Sequence, residues 1–367
     1  MKALAPSLPA LLRAIDGWAE QGASGVVIEW ENLFPYPGFE AALRPDAYSR
    51  KDVEEIIGRC RSHGLQAVPL VQTLGHLEWF LSHSQWADLR EFPDSPDQIR
   101  ACDNRAWAII RSWIAALMEA HGDCPYVHVG ADEAWRLHEV DRPDCSSVRQ
   151  GPSAVFLRHM APIFEQVLAA GKRPVLWADM VLRHPDHMAE FPREAVFCDW
   201  LYSQTREHDS SLHVWGIGSV NAERYNTIPA ETRQRYEKYW RLGASDFPNH
   251  FYQFPYTPFL RDNGFDVWTG PSTLYAANSV CGPRLPAARA SGREWLKAAR
   301  RFGALGALNT CWAVRGALRE CTLAGHKAFL MNGKAQGLDD ARVARACCDW
   351  AGDDAPKVAE AIDGLNA

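Results

Sequence analysis

Short apolar runs rich in β-forming residues alternate with longer amphipathic stretches, and this alternation constrains the fold more than any other feature. Seven runs predict strands, at 25–31, 66–72, 126–133, 174–180, 195–200, 265–268 and 306–312. Between them, helical patterns are clearest at 11–21, 49–63, 104–121, 154–170 and 292–302. Several of these patterns end at a glycine, which readily adopts the left-handed conformation found after helices. The repeated order of helix, glycine and strand indicates parallel βα units.

Polar side chains cluster where the predicted strands end, as Asp179 and Asp199 do. In a (β/α)8 barrel this end of the strands forms the active site, although an open doubly wound sheet would also place polar residues there. No Gly-x-Gly-x-x-Gly follows the first run, which disfavours nucleotide binding. We therefore predict an α/β fold of the (β/α)8 TIM type, whose first strand is either very short, at 1–4, or missing from this chain.

The predicted barrel occupies residues 1–316, and residues 317–367 are predicted to form C-terminal helices packed on its outside. Within the barrel, about 201–263 is too long for a simple connection, so we predict an insertion after strand six, above the barrel mouth. This insertion has a helical pattern at 231–242, and further helical patterns lie at 317–331 and 339–351.

Composition excludes several classes of protein. The net charge of −6 lacks the basic footprint of a nucleic-acid-binding protein. No apolar run reaches the ~18 residues that span a membrane, and the N-terminus does not resemble a signal peptide. The ten cysteines include no Cys-x-x-Cys pair, which favours reduced thiols and a cytoplasmic protein. The thirteen histidines include no His-x-His pair, so we expect no metal and no cofactor.

The segment from His128 to Glu133 carries the strongest chemical signal. Strand periodicity places His128, Gly130 and Asp132 on one face, and Glu133 reaches the same pocket if the chain turns at the strand end. Two adjacent carboxylates repel, so one can raise the pKa of the other. This arrangement suits a general acid beside an ionised partner. A helix N-terminus capped by Asp132 is the alternative interpretation.

The same segment resembles the His-x-Gly-x-Asp-Glu signature of glycoside hydrolase family 20, the β-N-acetylhexosaminidases, and most closely their hexosaminidase D branch. The resemblance extends through 28–36, 68–78, 176–180 and Trp312, from about Lys2 to Arg315. It implies a (β/α)8 barrel and an exo-β-N-acetylhexosaminidase. Such an enzyme removes terminal β-linked GlcNAc or GalNAc from glycans or glycosides by substrate-assisted retaining hydrolysis.

The resemblance assigns catalytic roles to three residues. Glu133 protonates the leaving oxygen and then deprotonates water, while Asp132 orients the 2-acetamido group that attacks C1. The tyrosine that holds the acetamido oxygen would fall near Trp200, so we assign that role to Tyr202, with Tyr275 as the alternative.

The predicted substrate-binding residues follow the predicted strands. Trp177, Trp268 and Trp312 would form the wall of the acetamido pocket, with packing in the protein core as the alternative role. His128 would steady the motif, and the strand-end glutamates would bind sugar hydroxyls. The full set is Glu29, Glu31, Gln72, His76, His128, Trp177, Asp179, Trp200, Trp268 and Trp312.

Two further alternatives stay open. A sugar-binding barrel of the same family could have lost turnover with its first strand, although the intact Asp132-Glu133 pair argues against it. A missing first strand also leaves an exposed sheet edge, which invites pairing or covering. We expect either a homo-oligomer whose neighbouring copy covers that edge, or coverage by the C-terminal helices.

Overall fold

The computed structural model describes residues 5–142, 145–243, 249–275, 284–312 and 319–334, together with 354, 357, 358 and 360. The chain forms two compact units, Met1–Val196 and Phe197–Ala367. The predicted strand at 1–4 and the predicted helix at 339–351 lie outside the described residues. The predicted division into a barrel at 1–316 and helices at 317–367 stays a prediction.

The first unit alternates helices and strands. Its helices are α1 Leu8–Glu20, α2 Arg50–Ser62, α3 Glu78–Leu81, α4 Asn104–Ala120, α5 Pro152–Ala169 and α6 Asp179–Arg183. Its strands are β1 Gly25–Glu29, β2 Gln66–Leu70, β3 Arg90–Phe92, β4 Ser95–Ile99, β5 Tyr126–His128 and β6 Arg173–Trp177.

Four of these strands form a parallel sheet in the order β1-β2-β5-β6, and β3 pairs with β4 in a separate hairpin. The register sets Glu29 beside Leu70, Leu70 beside His128, and His128 beside Val175. Because the strands are parallel and in step, their C-terminal ends lie at one edge of the sheet. The polar residues that follow these strands are therefore brought together.

Local signals explain where the helices begin and end. Ser49 and Asp52 form a reciprocal capping box at the start of α2, and the Asp103 side chain accepts from backbone N–H groups at the start of α4. Gly64 and Gly171 follow α2 and α5 with φ of 69° and 70°. Glycine adopts this conformation without the steric cost that a Cβ imposes, so the chain turns there into the next strand.

The second unit holds the remaining elements. In chain order these are β7 Val196–Trp200, β8 His208–Asp209, β9 Ser211–Val214, β10 Gly218–Asn221, α7 Ala230–Trp240, β11 Phe251–Tyr252, α8 Tyr256–Asp262, β12 Asp266–Gly270, β13 Ser272–Leu274, α9 Leu285–Phe302, β14 Gly306–Ala307, β15 Thr310–Cys311 and α10 Arg319–Lys334. Within this unit, β12 lies between β7 and β14 in one sheet, and β13 pairs in parallel with β15 in another.

The long stretch between β7 and β12 has structure of its own, as an insertion predicts. It contains two antiparallel ribbons, β8 with β11 and β9 with β10, together with α7 and α8. Tyr252 and Phe254 from this stretch are buried against Trp295 and Ala298 of α9. At the C-terminal side, α10 packs on α9 and β13.

Candidate active site

The chain turns sharply after β5, and this turn presents the two adjacent carboxylates. The prediction that strand geometry continues to Asp132 is wrong, because the strand ends at His128 and Gly130, Ala131 and Glu133 have φ of 63°, 68° and 53°. A Cβ at Gly130 would collide with the side-chain oxygen of Gln72. Both the space available and the backbone conformation therefore favour glycine at 130.

His76 contacts both carboxylates. Its Nε2 atom lies 3.3 Å from Asp132 Oδ2 and 2.9 Å from Glu133 Oε2. The Asp132 side chain is 11% exposed and that of Glu133 is 36% exposed. One carboxylate is thus sheltered and its neighbour is open to solvent, an asymmetry that suits two different chemical roles. Among the described residues, these three side chains also form the single group with the donor atoms for a metal ion, all within 4.8 Å.

Hydrogen bonds from neighbouring strands hold the turn in place. The Glu133 backbone N–H donates to Asp179 Oδ2 at 2.9 Å. The Ala131 N–H donates to Gln72 Oε1 at 3.1 Å, and Gln72 Nε2 donates to Glu29 Oε1 at 3.1 Å. Glu29, Gln72 and Asp179 are all buried. Three predicted substrate-binding residues therefore connect to the carboxylate turn from the ends of β1, β2 and β6.

His128 stabilises the turn at Gly130–Glu133 through a hydrogen bond to its backbone. Its Nδ1 atom accepts from the Gly130 N–H at 3.1 Å, and its ring lies 4.4 Å from the Trp177 ring. Burial lowers the pKa of His128 to about 3, and the charge of Asp132 opposes this shift only in part. The imidazole is therefore neutral at physiological pH and, with Nδ1 as acceptor, carries its proton on Nε2.

Tyr36 lies within electrostatic reach of Glu29 and Glu31, and the sequence prediction missed it. Glu31 follows β1 in a short 3-10 helix with φ of 44°. Tyr36 is buried, and burial, together with the charges of Glu31 and Glu29, raises the pKa of its hydroxyl. The signal in the sequence was weak, because Tyr36 stands in an apolar aromatic stretch where core packing is the ordinary interpretation.

The second unit gathers an aromatic group of its own. Trp312 Nε1 donates to the Tyr202 hydroxyl at 2.8 Å. The Tyr202 ring lies 5.0 Å from the Trp200 ring and 5.2 Å from the Tyr275 ring. Trp268 lies on β12 opposite Gly306 and is partly buried. Of the thirteen predicted site residues, nine lie in the first unit and four in the second.

Asp199 is a strand-end carboxyl that faces a helix. It is buried, and Thr257 of α8 donates its hydroxyl to Asp199 Oδ2 at 2.6 Å. Burial raises the pKa of Asp199 to about 7, and the bonds from Thr257 oppose part of the shift. Its neighbour Trp200 points to the other side of β7, towards the Tyr202 ring.

The chain is similar in sequence to two curated proteins. It is 32% identical to hexosaminidase D of Bos taurus over 170 residues, which cover 45% of this chain and 49% of the bovine protein. It is 30% identical to hexosaminidase D of Homo sapiens over 191 residues, covering 51% of this chain and 39% of the human protein. Over about half of its length, the chain is therefore similar to hexosaminidase D. The matched region spans half or less of these relatives, and known family models give no match.

The fold agrees with that similarity. The GH20 β-N-acetylhexosaminidase of Streptomyces coelicolor A3(2) superposes on 98% of this chain and 67% of its own, with a TM-score of 0.58 and 16% identity. At 16% sequence identity, the structural similarity is evidence for the fold alone. It confirms the predicted (β/α)8 TIM-type fold. In the described residues, no helix is both long enough and apolar enough to cross a membrane.

Proposed function

We propose that this chain is an exo-β-N-acetylhexosaminidase, a glycoside hydrolase that removes terminal β-linked GlcNAc or GalNAc from glycans or glycosides. The observation that carries the proposal is the adjacent pair Asp132 and Glu133, both in contact with His76. The similarity to hexosaminidase D supports the same activity.

Glu133 acts as the general acid and base. Its side chain is the more exposed of the two carboxylates, so it can reach a leaving group that enters from solvent. It protonates the glycosidic oxygen as the bond to C1 breaks, and it later accepts a proton from the incoming water.

Asp132 serves the 2-acetamido group. The substrate's own acetamido oxygen attacks C1 and forms an oxazolinium, and the sheltered Asp132 carboxylate orients the acetamido N–H and stabilises the positive charge. A nucleophile inside the substrate benefits from a high effective molarity. The mechanism explains why the two carboxylates are adjacent, because Glu133 acts on the leaving group and Asp132 acts on the acetamido group.

The role of Glu133 can be tested with leaving groups of different acidity. Glu133→Gln should retain the fold and lose most turnover of N-acetylglucosaminides with poor leaving groups, because no proton reaches the departing oxygen. The loss should be smaller for a dinitrophenyl aglycone, which leaves without help. Glu54→Gln, on the exposed face of α2, is the matched control and should keep wild-type rates.

Two results would count against this proposal. Equal losses for all aglycones would remove Glu133 from the role of general acid. Binding of N-acetylglucosamine by the wild-type protein without any turnover would favour the catalytically impaired sugar-binding barrel.

The need for the 2-acetamido group gives a second test. A 2-hydroxy glycoside with the same aglycone should be nearly inert, because the internal nucleophile is missing. A thiazoline mimic of the oxazolinium should inhibit competitively, and a chelator should not lower the rate. Fast hydrolysis of the plain glucoside, measured by release of 4-nitrophenol, would overturn the substrate-assisted mechanism.

A further inference from the structure

We propose that His76, Asp132 and Glu133 bind a single Zn²⁺ ion, which blocks the reaction while it is bound. The binding stands on the geometry of these three side chains. The inhibition also rests on the proposed glycosidase activity.

The donor set matches the chemistry of zinc. Zinc takes imidazole nitrogen and carboxylate oxygen as ligands, and its catalytic sites commonly hold three protein ligands with a fourth position open. One imidazole and two carboxylates are present here, with their donor atoms within 4.8 Å of one another. The two carboxylate charges add an attraction for a divalent cation.

The two distances from His76 to the carboxylates are also close to those of a zinc site. Zinc lies about 2.0–2.2 Å from nitrogen and oxygen ligands, so neighbouring ligand atoms of a tetrahedral site lie about 3.3–3.6 Å apart. His76 Nε2 and Asp132 Oδ2 lie 3.3 Å apart. The 2.9 Å between His76 Nε2 and Glu133 Oε2 needs to widen by only about 0.5 Å, a small rotation of the exposed Glu133 side chain.

The backbone holds these ligands near their places. His76 and Glu133 have left-handed φ values of 56° and 53°, and the Glu133 N–H is held by Asp179. At Gly75, a Cβ would collide with the Asp132 carbonyl oxygen, so the loop of His76 lies directly against the carboxylate turn. Ligands that are already positioned lose less conformational entropy on binding.

The same donor set selects against magnesium. Mg²⁺ demands six oxygen ligands in an octahedron and dehydrates reluctantly, whereas imidazole suits zinc. A zinc ion held by Glu133 would occupy the oxygen that must carry the proton, and would turn Asp132 away from the acetamido group. Zinc and the thiazoline mimic should therefore exclude each other.

Zinc binding can be measured without any activity. The wild-type protein would compete for zinc against a chromophoric chelator, in parallel with His76→Gln and Asp132→Asn. We expect both variants to lose at least about tenfold in affinity and to lose one equivalent of bound zinc. The readout is this difference, because other histidines and cysteines can add weak sites. An excess of Mg²⁺ should not displace the zinc.

His63→Gln provides the matched control. His63 Nε2 lies 2.8 Å from Asp16, so it is also a histidine beside a carboxylate, but Arg59 donates to both oxygens of Asp16. This variant should bind zinc like the wild type.

Three outcomes decide the proposal. Equal zinc affinity in the wild type, His76→Gln and Asp132→Asn, with circular dichroism showing folded variants, would overturn the site. Zinc that binds at this site yet leaves turnover and thiazoline binding unchanged would overturn the inhibition. A wild-type protein that binds zinc through His76 but hydrolyses no N-acetylhexosaminide would refute the proposed function and support the zinc site alone.

Discussion

Tyr202 and Tyr275 pack ring against ring, and we propose that one of them holds the acetamido oxygen during the reaction. The Tyr202 hydroxyl accepts from Trp312 Nε1, so its own proton is directed away from that bond. Tyr202→Phe should lower kcat and kcat/KM by a similar factor, since the contact strengthens as the oxygen attacks. Removal of one such donor costs about 10²–10³ in rate.

Tyr275→Phe is the paired variant and should have a mild effect. Steady-state kinetics on one chromogenic N-acetylglucosaminide suffice for both. A normal kcat in Tyr202→Phe beside a crippled Tyr275→Phe would transfer the role to Tyr275.

Asp199 makes the stability of the protein depend on pH. Burial raises its folded-state pKa to about 7, above the ordinary value of 3.8 that the unfolded chain is expected to show. Between these values the folded state binds the extra proton, so this carboxyl favours folding at low pH and loses that effect as the pH rises to about 7. The slope approaches about 1.4 kcal/mol per pH unit.

Asp199→Asn should flatten this slope and raise the stability at pH 8 relative to the wild type. Urea unfolding at pH 5 and pH 8 would measure both, with exposed Asp123→Asn as control. An unchanged difference between the two pH values in Asp199→Asn would show that the carboxyl is ionised in the folded protein.

At the scale of elements, hydrophobic periodicity was sufficient for the regular structure and insufficient for the turns. The predicted runs become β1, β2, β5, β6, β7 and β12, because burial of an apolar strand between helices is a local pattern. The turn at Gly130–Glu133 escaped prediction, because its left-handed residues are stabilised by Gln72 and Asp179, which are distant in sequence. The last predicted strand divides into β14 and β15 for reasons that its sequence does not reveal.

Because the His76 loop packs closely against the carboxylate turn, we expect one added methyl group at Gly75 to lower stability. Gly75→Ala would press a Cβ against the Asp132 carbonyl, so it should destabilise the fold by about 1–3 kcal/mol and reduce activity. Gly58→Ala, inside α2 with no atom within 4 Å of the new Cβ, should stabilise by about 0.5–1 kcal/mol. Thermal unfolding and initial rates would test the pair, and similar melting shifts in both variants would contradict the close packing.

At the scale of the whole molecule, the edge of β1 sets an expectation for assembly. Within the described part of the chain, β1 pairs with β2 alone, and residues 1–4 lie outside that part. An exposed strand edge invites a partner, so we expect a homo-oligomer, or coverage by the C-terminal helices. Light scattering would give the mass in solution, and hydrogen exchange would report on the amides of β1. A monomer whose β1 amides directed away from β2 exchange fast would contradict both expectations.

Left-handed backbone is concentrated around the candidate active site. Of the five non-glycine residues with positive φ in the described chain, four are Glu31, His76, Ala131 and Glu133. Such residues cost of order 1–3 kcal/mol each, and surrounding contacts must maintain them. Directed evolution for heat resistance alone should therefore recruit glycine at the buried Ala131 and glycine or asparagine at Glu31, and the selected variants should turn over substrate more slowly. Selection for turnover should restore the wild-type side chains, so the two selective pressures would favour different residues at these positions.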